Sequence, residues 1–201
     1  MDGIRGGPRA AARDSQLFEE FYRRHVEAMT SFVARRVADP HTVADLTAEI
    51  FLAVLDSAHT YRPSRGSERA WLYGIARNVV AGERRRVARE TDRDRRISGR
   101  RLLEPDDIAR LDDKLDAQSP GRRALAALER LPAGERAVLE LVAVDELTVT
   151  EAATALGISR VAARVRLHRA RKSLREQAES QGGEAYGTFL AYVTEGTGGA
   201  T

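Results

Sequence analysis

Cysteine is absent from the 201 residues, which excludes a disulfide, a thiolate-bound zinc and a thiol redox switch. No segment approaches the ~20 apolar residues that a membrane span needs, and Met1 to Asp14 lacks the apolar stretch of a secretory signal. A cytoplasmic protein is expected. His25, His41, His59 and His168 stand far apart, without the carboxylate or Cys neighbours that complete a metal site. There is no phosphate-cradling Gly loop followed by Lys-Ser/Thr and no nucleophile elbow, and no cofactor is expected. Strand signal is confined to "YGTFLAYV", Tyr186 to Val193, inside a Gly-rich tail.

Charge is what the chain has in abundance: 31% of its residues are charged, with a net charge of +3. That small sum conceals blocks. Trp71 to Arg101 holds ten Arg against four acids, whereas Leu102 to Ser119 holds six acids against Arg110 and Lys114. Taken alone, such a run is no more than a solvated face.

Helical periodicity organises most of the rest. Residues 1–14 read as a disordered Gly- and Arg-rich arm. From Ser15 the apolar residues Phe18, Phe21, Tyr22, Met29, Phe32, Val33 and Val37 recur at helical spacing until Asp39-Pro40 ends the run. Thr42 with Asp45 resembles a capping box for a second helix, whose buried stripe is Val43, Leu46, Ile50 and Val54. Ser67 caps a third, "ERAWLYGIARNVVAGERRR", with Leu72, Ile75, Ala76 and Val79 inward. Residues 15–88 thus form a first helical domain and 89–119 a linker. The linker has at most a helical turn near Ile108 to Leu115. Residues 120–178 form a second domain of four helices, and 179–201 are a tail. The fold expected is all-α: two small helical domains, of three to four and of four helices, joined by a flexible linker.

The second domain closes with "LGISRVAARVRLHRARKSLRE", which carries seven basic and no acidic residues between Ile158 and Arg175. Thr148 to Glu151 starts a short helix, Gly157 suits a left-handed turn, and Ser159 caps a longer helix; this is the plan of a helix-turn-helix. On a wheel of ~100° per residue, Ala163, Leu167, Ala170 and Leu174 face the core. Val161, Arg164, Val165, His168 and Lys172 face away, flanked by Arg160, Arg169 and Arg171. An acid-free outer face of this kind suits a polyanion.

"ALERLPAGERAVLELVAVDELTVTEAATALGISRVAARVRLHRARKSLRE" resembles the promoter-recognising fourth domain of bacterial sigma factors. "VADLTAEIFLAVL" is similar to the family's clamp-binding helix, and "RAWLYGIARNVVAGERRR" to its helix for the −10 element. Two such domains in family order point to the extracytoplasmic-function (ECF) group of the sigma-70 family. The resemblance implies a non-enzymatic factor that binds core RNA polymerase, recognises −10 and −35 promoter elements and promotes melting. It implies polymerase contacts from Asp45, Glu49, Leu52 and Asp56, and −10 contacts from Arg77, Asn78, Arg84, Arg85 and Arg86. Trp71, beside Leu72 at a helix start, reads as core before stacker. The implied −35 contacts are Arg164, Val165, His168 and Arg169, with Arg160, Arg171 and Lys172 on phosphates. The partners implied are core RNA polymerase through its clamp and flap, promoter DNA, and an anti-sigma factor that no residue identifies. Ala44 and Ala48 depart from the clamp-helix pattern, and Val161-Ala162-Ala163 from the usual start of the recognition helix, so the −35 preference does not carry over. Two alternatives are an autonomous helix-turn-helix regulator, which leaves the first domain unexplained, and a sigma-like docking protein without initiation activity.

Overall fold

The computed structural model describes residues 7–98 and 126–180. The acidic part of the linker, the helix start at Leu125 and the tail with "YGTFLAYV" lie outside the described residues. Helix α1 spans Pro8–Ala11, α2 Ser15–Ala34, α3 Pro40–Ser57, α4 Glu68–Ser98, α5 Ala133–Ala143, α6 Val149–Leu156 and α7 Arg160–Ser180. Among the described residues there is no strand. The chain divides into two compact units: α1 to α4 with residues 151–158 belong to one, and α5 and α7 to the other.

The first unit is built on three apolar stripes. Phe21, Met29, Phe32 and Val33 of α2 meet Leu46, Ile50, Phe51 and Val54 of α3 and Leu72, Tyr73, Ala76 and Val80 of α4, all buried. Each large side chain removed from water in this way stabilises the fold by about 1.5–3 kcal/mol before entropy is counted. Edge-on ring packing adds shape: Phe32 meets Tyr73 at 5.4 Å and 88°, and Phe21 meets Phe51 at 6.3 Å and 82°. Ile75 and Val79, expected in the core, are half-buried, and Tyr73 and Val80 take the central places instead. The start of α4 is tied to α2 by Glu68, whose Oε1 lies 2.9 Å from Arg24 Nη1 and 2.8 Å from His25 Nε2.

Three sequence expectations are corrected here. Residues 8–11 are helical rather than part of a disordered arm, with Pro8 at the first helical position and Ala11 only 2% exposed. The cap of α3 is Asp39, not Thr42: its carboxylate accepts from Thr42 N at 2.7 Å and Thr42 Oγ1 at 2.6 Å, and Pro40 sits just inside the helix. Those bonds hold the Asp39 carboxyl below the usual carboxylate range. Finally, α4 does not stop at residue 88 but runs on to Ser98, because "VARETDRDRRIS" contains neither Gly nor Pro and Arg86 bridges Glu83 and Glu90 along it. Ser67 caps α4 as expected, its Oγ accepting from Ala70 N at 3.1 Å.

In the second unit α5 packs along α7. Val138, Leu139, Leu141 and Val142 of α5 and Ala163, Leu167, Ala170 and Leu174 of α7 are buried. Gly134 lets the Arg166 guanidinium lie against the α5 backbone; an added Cβ would stand 3.2 Å from Arg166 Nη1. Arg166 is therefore turned toward α5, while its basic neighbours are not. The chain enters α7 as the sequence indicates: Gly157 adopts φ +64°, and Ser159 Oγ accepts from Ala162 N at 3.1 Å.

Candidate nucleic-acid interface

The outward face of α7 follows from the burial of its other side. With Ala163, Leu167, Ala170 and Leu174 inward, Arg160, Val161, Arg164, Val165, His168, Arg169 and Lys172 are all exposed. Val161 is 69% and Val165 43% exposed, two apolar side chains one helical turn apart on the same face as the cations. Arg160, Arg164 and Arg169 make no hydrogen bond or ion pair among the described residues, and Lys172 has Glu176 at 3.7 Å. Arg171 differs from the others: it is half-buried, and burial pushes its guanidinium below the usual arginine range.

Helix α4 carries a second basic face. Taking Asn78 as the reference on a ~100° wheel, Trp71, Arg85 and Arg89 fall within about 20° of it, Arg86 lies about 80° away, and Arg77 and Arg84 roughly 100–120° away on the other side. Arg77, Asn78, Arg84, Arg85, Arg86 and Arg89 are exposed. Arg86 alone among these is bound to carboxylates: Nε and Nη2 reach Glu83 at 2.7 Å each, and Nη1 reaches Glu90 Oε1 at 2.8 Å. The pairing draws the Glu83 carboxyl below its ordinary value and the Arg86 guanidinium above its own. Trp71 is neither fully buried nor free. Its ring stands 5.6 Å from Tyr61, and its Nε1 donates to Thr60 Oγ1 at 3.3 Å, fastening the loop before α4 to the helix.

On α3 the acids point outward. Asp45, Glu49, Leu52 and Asp56 are exposed at i, i+4, i+7 and i+11, with Leu52 at 62%. An apolar side chain ringed by carboxylates is the pattern of a contact with a basic partner.

The profile of Sigma-70 region 2 matches residues 21–90 and that of Sigma-70, region 4 matches residues 121–174. The ECF RNA polymerase sigma factor SigL of Mycobacterium tuberculosis is 30% identical over 173 residues, covering 83% of this chain and 91% of SigL. The chain belongs to the ECF group of the sigma-70 family. ECF RNA polymerase sigma factor SigX of Bacillus subtilis is similar as well, at 29% identity over 171 residues, 82% of this chain and 84% of SigX. Among solved structures, CnrH in complex with the cytosolic domain of CnrY has the same fold, with a TM-score of 0.58 at 24% identity over 87% of this chain and 96% of that one.

This ECF sigma factor departs from the residues read in sequence at two places. Arg89 shares the Asn78 face and lies beyond "ERAWLYGIARNVVAGERRR", which ends at Arg86; a count of helix formers past Arg86 reaches it. Tyr61 lies in the loop before α4, and no sequence signal connects it to Trp71. The region 2 match ends at residue 90, while α4 continues to Ser98.

Proposed function

We propose that this ECF sigma factor docks on the core polymerase clamp with the α3 face, reads the −35 duplex with α7 and holds the opened −10 strand along α4. It acts in the cytoplasm and supplies recognition and melting while contributing no catalytic group of its own. The observation that carries the reading is the outer face of α7, where exposed cations and exposed valines alternate with no acid between Ser159 and Arg175. Arg164 and Arg169 are suited to bidentate bonds with guanine O6 and N7, and Val161 and Val165 to thymine methyl groups; each good bidentate pair discriminates by about 1–3 kcal/mol. Arg160 and Lys172 at the edges suit phosphates, which fix register without reading sequence.

Along α4, Asn78 offers an amide to an unstacked base edge and Arg85 a cation to the backbone beside it, with Arg77 and Arg84 flanking. Leu52 forms the apolar centre of the clamp contact, and Asp45, Glu49 and Asp56 its charged rim. An anti-sigma factor that covers these exposed faces would silence the protein.

Run-off transcription from a randomised promoter library, with purified bacterial core polymerase and with or without the chain, tests the proposal. Transcripts that depend on the chain and share two spaced upstream motifs are expected. A chain that co-migrates with core yet yields none would be a docking protein; a chain that binds a palindrome without core would be an autonomous regulator.

A further inference from the structure

Of the three consecutive arginines Arg84, Arg85 and Arg86, the last is already bound. Its guanidinium makes two parallel bonds to Glu83 and one to Glu90, so one cation stands between two carboxylates and the group as a whole carries one net negative charge. Glu83 is the more enclosed partner, its side chain 13% exposed against 54% for Glu90. Arg85 and Arg89, one helical turn apart on the Asn78 face, make no hydrogen bond or ion pair among the described residues. The same short stretch therefore contains an open cationic track and, about 60–100° around the helix, a neutralised cation with an acidic border.

We propose that Arg85 and Arg89 carry the nucleic-acid strand on α4, and that Glu83 and Glu90 withhold Arg86 from it, so that the three-residue network marks the edge of the track. This deepens the proposed function and rests on α4 holding single-stranded DNA. A phosphate approaching Arg86 would have to displace a bidentate carboxylate and pass Glu90, whereas one approaching Arg85 or Arg89 displaces only water. Its pairs at i,i+3 and i,i+4 also support the helix from Glu83 to Glu90, across the position of Arg89.

The test is fluorescence anisotropy of the full chain with a fluorescein-labelled pool of random-sequence single-stranded 12-mers, across a salt series. Arg85→Ala, Arg86→Ala and Arg89→Ala each remove one positive charge, so net charge is held constant among them. Arg85→Ala and Arg89→Ala should each weaken binding several-fold and flatten the log–log salt slope by about 0.7, the value for one lost single-strand phosphate contact. Arg86→Ala should change affinity less than twofold and leave the slope unaltered. The double variant Glu83→Gln/Glu90→Gln should bind more tightly with a steeper slope, and adding Arg86→Ala to it should remove the steepening. Circular dichroism at 222 nm checks that the variants keep their helix, and Arg86→Gln repeats the comparison with a side chain that retains length. If Arg86→Ala and Arg86→Gln flatten the slope as Arg85→Ala does, the proposal is overturned while α4 remains a DNA-holding helix. If all three arginine variants bind as the wild type does, the role of α4 in strand holding falls with it.

Discussion

Helices α4 and α7 are both long and arginine-rich, at 31 and 21 residues, yet they present their cations differently. On α7 the exposed face interleaves arginine with bare valine and excludes acids up to Glu176. On α4 the corresponding face carries an amide and arginines, with Glu83 and Glu90 close by and no large exposed apolar group before Val87. On the proposed function the first surface suits the floor of a duplex major groove, where base edges and thymine methyl groups lie together. On the same proposal the second suits a strand whose bases have left the stack, where an amide can meet a base edge and the rest is phosphate. Equal richness in arginine thus leaves two different surfaces, distinguished by what stands between the arginines.

The difference can be broken first at its supports. Leu72 and Leu174 are 0% and 1% exposed, and truncating either to Ala should cost about 2–5 kcal/mol in urea unfolding. Amide exchange should show protection lost around α4 in the first variant and around α7 in the second. Next in size is Arg164→Ala, expected to lose about 1–3 kcal/mol of discrimination between promoter and mismatched −35 duplex in competition binding. Arg164→Lys, which keeps the charge but not the fork, should recover affinity without recovering discrimination. Gly157→Ala is smaller, at about 1–2 kcal/mol in thermal or urea unfolding. Nothing stands within 4 Å of the added methyl, so the whole cost comes from holding an L side chain at φ +64°. The smallest effect concerns α3. Its Asp39 carboxyl is held low by the Thr42 bonds, so the stabilisation it gives is complete above the ordinary carboxylate pKa and is lost as pH falls through the depressed one. The Thr42 amide resonance should titrate with a midpoint below that of a free aspartate, and Asp39→Ala should abolish the transition.

The α7 side of this comparison was legible in sequence. Local rules govern it: Gly157 at a left-handed turn, Ser159 at a cap, and a core stripe of Ala163, Leu167, Ala170 and Leu174 that leaves the reading face by subtraction. The α4 side was legible as a helix with Asn78 and arginines but not in its extent, because its second half has no apolar stripe to signal burial and is held by ion pairs between its own side chains. For the same reason Arg86 could not be told from Arg85 by residue type. Thr42 and Asp45 satisfy the capping pattern three residues inside the true start of α3; Asp39 followed by Pro40 is the better signal, since Pro at the first helical position loses no hydrogen bond. Tyr61 against Trp71 is a tertiary contact between a loop and a helix, and periodicity carries no information about it.

The most direct measurement is run-off selection from a randomised promoter library with core polymerase and, in parallel, the wild type, Arg164→Ala and Asn78→Ala chains. The wild type should recover two spaced motifs, Arg164→Ala should blur the upstream one alone, and Asn78→Ala should blur or abolish the downstream one alone. If both variants degrade the same motif, or neither degrades any, then α4 and α7 do not divide promoter recognition between an opened strand and a duplex.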